Sequence, residues 1–247
     1  MYFLLSPITV LLLTAASVNG RVTSAPANCT NWENTINKYG TRVFLLGDRS
    51  LVVPKDIAEM ESITCPRLLD ASDRLREVIK HCLKPFPKTV AGLAVRGSRK
   101  MIKSKCNDVR EKELLISHLS CIHPRVRLNK MHDVMDMYTR KLTYIRDFVP
   151  VDKKLNVGCC HYFETRKEII ATASTFCQPA AVTYATNIVD DMVREALEVA
   201  CSTYLHDGSK CDPILKQTPV PVTVNSTKES DAFLLPLINV LTSLGVD

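Results

Sequence analysis

Little in this chain points to catalysis. Its eight glycines in 247 residues are scattered, so none forms the glycine-rich turn that cradles a phosphate. There is no Gly-x-Ser-x-Gly to raise a nucleophile on a strained turn, and no His-Glu-x-x-His to hold a catalytic zinc. The six histidines, His81, His118, His123, His132, His161 and His206, lack metal-type spacing with any second ligand. Cys159-Cys160-His161 is no exception, because adjacent cysteines do not offer a normal chelate turn. The acid pairs Asp190-Asp191 and Glu195-Glu198 fall on the outside of an expected helix, where solubility accounts for them. The expectation is a protein that is not an enzyme, with no cofactor and no metal.

Long apolar runs are also scarce. Residues 1–20 combine an apolar core, Tyr2 to Leu5 and Ile8 to Leu13, with the small-residue exit Val18-Asn19-Gly20, and read as a secretory signal peptide. No Lys or Arg precedes Arg21, which leaves a retained anchor as the alternative, and cleavage after Ser17 is a second option. The tail, 232–247, is too short for a confident membrane span and is interrupted by Pro236 and Asn239. Phe233, Leu237, Val240 and Leu244 form a stripe on it, which favours a terminal helix docked on the body or on a partner. The alternative is a glycolipid-anchor signal attached at Asn225 or Ser226, with a spacer shorter than such signals usually carry.

What the chain does have is cysteine. Ten residues, an even number, are expected to be oxidised in a secreted protein. The sequons Asn28-Cys29-Thr30 and Asn225-Ser226-Thr227 agree with that compartment and make Asn28 and Asn225 candidate glycosylation sites. Cys65 to Cys82 and Cys160 to Cys177 are both gaps of 17; Cys82 to Cys106 and Cys177 to Cys201 are both gaps of 24. A shared register suggests one helical unit used twice.

Helical periods dominate. Trp32, Ile36, Tyr39, Val43 and Leu46 share one face of a helix that starts after Thr30 and stops at Gly47-Asp48, with a β-hairpin over 43–53 as the rival reading. Pro54 opens a short helix carrying Ile57 and Met60. Leu68, Ser72, Leu75, Ile79 and Cys82 mark a helix from Cys65 roughly 25 Å long, too long for its end cysteines to bond each other. Pro85 and Pro87 break the chain into a turn, and Val90, Leu93, Ala94, Gly97 and Met101 lead to Cys106. A short helix, 111–120, follows. Met131, Val134, Tyr138, Leu142, Ile145 and Phe148 form the clearest amphipathic segment, stopped at Val149-Pro150. Val182, Ala185, Val189, Met192, Ala196 and Val199 repeat the pattern after Pro179, and core is the ordinary role of such stripes.

Antiparallel hairpins of these helices would pair Cys65 with Cys106, Cys82 with Cys121, Cys160 with Cys201 and Cys177 with Cys211, leaving Cys29 with Cys159. The fold class expected is all-α: a disulfide-stapled helical bundle built from two related helical-hairpin units. Its divisions are an N-terminal helical segment (21–64), a first unit with the long helix (65–150), a second unit (151–212), a flexible linker (213–231) and the apolar tail (232–247).

Charge is uneven. Residues 65–147 hold 19 Lys or Arg against 9 Asp or Glu, whereas 148–247 hold 8 against 12. Arg96, Arg99, Lys100 and Lys103 fall at helical spacing and make a candidate anion-binding edge for an anionic surface or glycan. A solvated helix face is the more ordinary account of them, and contact with the acidic second half is a further one. No aromatics interleave with these charges, so nucleic acid is not expected as a partner.

The segments Cys82-Leu83-Lys84-Pro85-Phe86-Pro87-Lys88-Thr89-Val90-Ala91-Gly92-Leu93 and Cys159-Cys160-His161-Tyr162-Phe163 resemble uncharacterised secreted cysteine-rich helical proteins of arthropods, especially arachnids. The similarity extends from Cys29 to Cys211. A more distant likeness to insect haemolymph glycoproteins rests on secretion, helicity and spaced cysteines. The resemblance implies fold and compartment and transfers no functional residue. The function expected is therefore a secreted, non-enzymatic binding protein for an extracellular protein or apolar ligand. The alternatives are a cell-surface recognition or structural module held by its tail, which is the only route to a membrane, and a hydrolase of unrecognised type.

Overall fold

The computed structural model describes residues 29–44, 49, 53–205, 207–219 and 233–245. The leader, both sequon asparagines, most of the linker and the Gly47-Asp48 stop lie outside them. Among the described residues there is no strand, and the fold is all-α and disulfide-stabilised. The principal helices are α1 (Trp32–Val43), α2 (Ile57–Glu59), α3 (Cys65–Cys82), α4 (Pro85–Asn107), α5 (Val109–Leu119), α6 (Arg125–Phe148), α7 (Val151–Ser174), α8 (Pro179–Ala200), α9 (Ser202–Leu205), α10 (Cys211–Gln217) and α11 (Leu234–Thr242).

Local chemistry sets their ends. Asp56 and Asp108 accept hydrogen bonds from the free N–H groups of Glu59 and of Arg110 and Glu111, capping α2 and α5. A π-helical turn, Met60–Thr64, joins α2 to α3 in one continuous helical run. Pro85 and Pro87 stand in the first turn of α4 and open that helix rather than hold a turn apart from it, because an N–H missing there has no helical partner to lose. The same reasoning corrects the expected linker. α10 runs through Pro213, in its first turn, before the chain leaves the described region after Pro219.

The main core joins α1, α3, α4, α8 and α11 through Ile36, Leu75, Ile79, Ile102, Met192, Leu234 and Ile238. A second cluster, with Tyr138, Leu142, Ile145 and Val157, lies where α6 meets α7 and shares Val240 of α11. Two expected stripes are corrected at their edges. Phe148 is 68% exposed, its ring lying 5.0 Å from that of Tyr144, because that end of α6 turns Ile145 and Val149 inward instead. Val189 and Val199 are exposed because α8 turns Met192, Val193 and Ala196 inward.

All ten cysteines are bridged, as Cys29–Cys82, Cys65–Cys106, Cys121–Cys177, Cys159–Cys201 and Cys160–Cys211. Such bridges belong to an oxidising environment. Among the described residues no helix is long and apolar enough to cross a membrane. Cys65–Cys106 forms as the hairpin geometry requires; the other four expected pairs are corrected. The cause is α1, which packs along α3 and delivers Cys29 to its far end at Cys82. Cys121 stands in a 3-10 turn just ahead of α6, and α6 against α7 carries it to Cys177 beyond the end of α7. Cys159 and Cys160 are one residue apart on a helix and so point about 100° apart. Cys159 meets Cys201 at the end of α8, and Cys160 meets Cys211 at the start of α10. Set aside Cys160, which leaves the pattern to bond Cys211, and the same interleaved lacing, first cysteine to third and second to fourth, runs through 29–106 and through 121–201.

α11 occupies the centre. Leu234, Leu235, Ile238, Val240 and Leu241 are buried, and the Phe233 ring meets that of Phe44 edge-on at 5.0 Å. The tail is therefore docked on the body. Five buried aliphatic side chains at about 1.5–3 kcal/mol each contribute on the order of 10 kcal/mol. Fixing the nine residues of α11 costs about 1–2 kcal/mol each, again on the order of 10. The docked helix is close to balance.

Candidate functional site: an apolar hollow under the last helix

Where α4, α7, α8 and α11 converge, they leave an apolar cavity of about 60 Å³. Ala91 and Ala94 of α4 and Ala196 and Ala200 of α8 line it, and their short side chains stop short of the centre. Its floor is α7. Lys154, Gly158 and Tyr162 stand at four-residue steps and so share one face of that helix over about 12 Å. A Cβ added at Gly158 would meet no atom within 4 Å. A mid-helix glycine costs about 1 kcal/mol against alanine; here it leaves open space above the backbone.

Each end of that face carries a polar group. Lys154 is 7% exposed, and its Nζ donates to Ser243 Oγ at 3.0 Å, just beyond the end of α11. The Ser243 hydroxyl in turn donates to the Val240 carbonyl at 2.7 Å. At the other end the Tyr162 hydroxyl is buried without a hydrogen-bond partner, and burial raises its pKa well above the ordinary phenol value. Tyr138, from α6, also lines the cavity and is raised in the same direction by burial.

A separate polar cluster ties α6 to α7. Glu164 Oε2 accepts from Lys141 Nζ at 2.8 Å and lies 2.7 Å from His161 Nδ1. Burial lowers the His161 pKa, opposed in part by Glu164. Burial pushes the Glu164 carboxyl up, but the bonds from Lys141 and His161 outweigh it and leave the group below its ordinary value. His161 Nε2 is buried without a hydrogen-bond partner, and the Lys141–Glu164 pair braces the two helices.

The four basic residues lie along α4. Arg99 is held by both carboxylate oxygens of Asp73 on α3, at 2.8 and 3.3 Å, and Arg96 lies 3.9 Å from Glu195 on α8. Lys100 and Lys103 are exposed. The structure thus splits the set, with one cation committed to packing and one facing the acidic second half. The acid pairs are also divided: Asp190 pairs with Arg166 and Asp191 with Arg194.

Sequence reasoning missed Lys154, Gly158 and Tyr162. The available signal was Gly158 itself, a lone glycine inside a helical stretch, which commonly has a packing or functional reason. Comparison with protein-family models, curated proteins and solved structures finds no match.

Proposed function

We propose that the protein is a secreted, non-enzymatic binding protein that holds an apolar ligand in the hollow over Gly158. That hollow carries the reading: its walls are apolar, it sits between helices of the two laced halves, and a glycine keeps its floor open. Binding sites for small ligands are concave, mostly apolar and bear a few placed polar groups, a description that Lys154 and Tyr162 fit. Five bridges and an apolar leader support an extracellular setting. The repeated lacing supports two related units, each of three long helices, with the site formed between them.

Cavity filling tests the reading. Gly158→Leu puts an isobutyl group into the open space without touching a bridge. Titration with the fluorescent chain cis-parinarate should give saturable binding to the full oxidised protein and at least a tenfold loss in the variant. Equal binding by both would overturn the site, and no binding by either would overturn the function.

A further inference from the structure

The hollow as it stands is too small for most ligands. Sites for drug-sized molecules run to roughly 300–1,000 Å³, against about 60 Å³ here. One wall is different in kind from the rest. α4, α7 and α8 are fixed by Cys65–Cys106, Cys159–Cys201 and Cys160–Cys211, whereas no bridge reaches α11. α11 contributes Leu234, Leu237 and Leu241 to the lining. If it leaves, the hollow becomes an open apolar trough along α7. Lys154 then loses Ser243, the one hydrogen-bond partner that its ammonium has among the described residues. With α11 gone, the ammonium stands uncovered at one end of that apolar trough, where a carboxylate whose chain lies along the trough can pair with it through a charge-assisted hydrogen bond.

We propose that the ligand is an unbranched aliphatic carboxylate, its chain lying over Gly158 and its headgroup taking the place of Ser243 on Lys154, and that α11 is the plug it displaces. This rests on the apolar-ligand reading above and adds the headgroup and the moving part. Chain length follows from the trough: myristate already spans its face of about 12 Å, so the two further carbons of palmitate gain little and the two acids should bind alike. A charge-assisted hydrogen bond makes palmitate about tenfold to a hundredfold tighter than hexadecanol, which has the same chain and no charge.

The test uses the full oxidised protein with palmitate, myristate and hexadecanol, each measured by displacement of cis-parinarate. Palmitate should match myristate and exceed hexadecanol by the stated margin, and Lys154→Met should bring palmitate down to hexadecanol while leaving hexadecanol unchanged. Ser243→Ala, which frees the lysine and one end of α11 and leaves the core intact, should tighten palmitate several-fold. Backbone amides of 234–242 should exchange faster with solvent when palmitate is bound, while those of α4 hold. Hexadecanol matching palmitate, with Lys154→Met and Ser243→Ala both indifferent, would overturn the headgroup assignment and leave the apolar-ligand function standing. Unchanged protection of 234–242 at saturation would overturn the plug. If no chain binds, the function itself fails and takes this inference with it.

Discussion

The carbonyl oxygen of Met192 lies 2.2 Å from where a Cβ on Gly97 would stand, so α4 and α8 touch backbone to backbone at their crossing. That contact brings the alanine-bearing faces of both helices together beside the hollow. Gly97→Ala forces the pair apart, since a main-chain carbonyl has nowhere to swing. Overpacking of this kind costs about 1–3 kcal/mol, more than the roughly 1 kcal/mol gained in helix propensity. Thermal denaturation should show a lower Tm; an unchanged or higher one would contradict the close crossing.

Gly158 is the opposite case. A methyl group there meets nothing within 4 Å, so Gly158→Ala keeps only the propensity gain of about 1 kcal/mol. The Tm should rise by about 2–4 °C, with cis-parinarate binding weakened less than in Gly158→Leu. A fall in Tm would mean that the space above residue 158 is filled.

Acid should loosen the α6–α7 contact. Burial holds the His161 pKa below its ordinary 6.5, so as pH drops through that value the unfolded chain takes up a proton that the folded one resists. Stability is therefore full above pH 6.5 and declines below it. Glu164, held below its ordinary 4.5, adds a second loss as the pH falls further. A Tm series from pH 8 to 4 should slope downward toward acid, with the part between pH 6.5 and 5 reduced in His161→Gln. An identical slope in that variant would assign the effect elsewhere.

The bridge from Cys121 to Cys177 ties the turn before α6 to the chain ahead of α8. Non-reducing peptide mapping should recover Cys121 with Cys177 and Cys29 with Cys82; a peptide joining Cys82 to Cys121 would contradict the packing of α1 on α3. Replacing Cys121 and Cys177 together by serine should remove about 2–4 kcal/mol, or about 5–15 °C of Tm.

Much of this fold was legible before any coordinates. Periodic apolar residues located α1, α3, α4, α6 and α8, because a helix that buries one face must repeat near 3.6 residues. Phe233 and Leu237 marked the docked tail by the same rule. The cysteine register was harder to read: equal gaps tied Cys160 to Cys65, yet its neighbour Cys159 makes the equivalent bond to Cys201, and one residue of offset on a helix redirects a side chain by about 100°. α7 hid the site for a related reason. It is packed against α6, α8, α10 and α11, so Lys154, Val157, Gly158, Cys160 and His161 are all buried and no clean stripe survives in its sequence. A lysine with its stem along a cavity cannot be told from a solvated one until α11 is seen to cover it.

Native mass spectrometry tests the central claim most directly. The full oxidised protein, equilibrated with palmitate and transferred without denaturation, should carry one ligand molecule that leaves on activation, and the Gly158→Leu protein treated alike should fly bare. Only the bare mass for both proteins, or the same adduct on both, would contradict a ligand seated over Gly158.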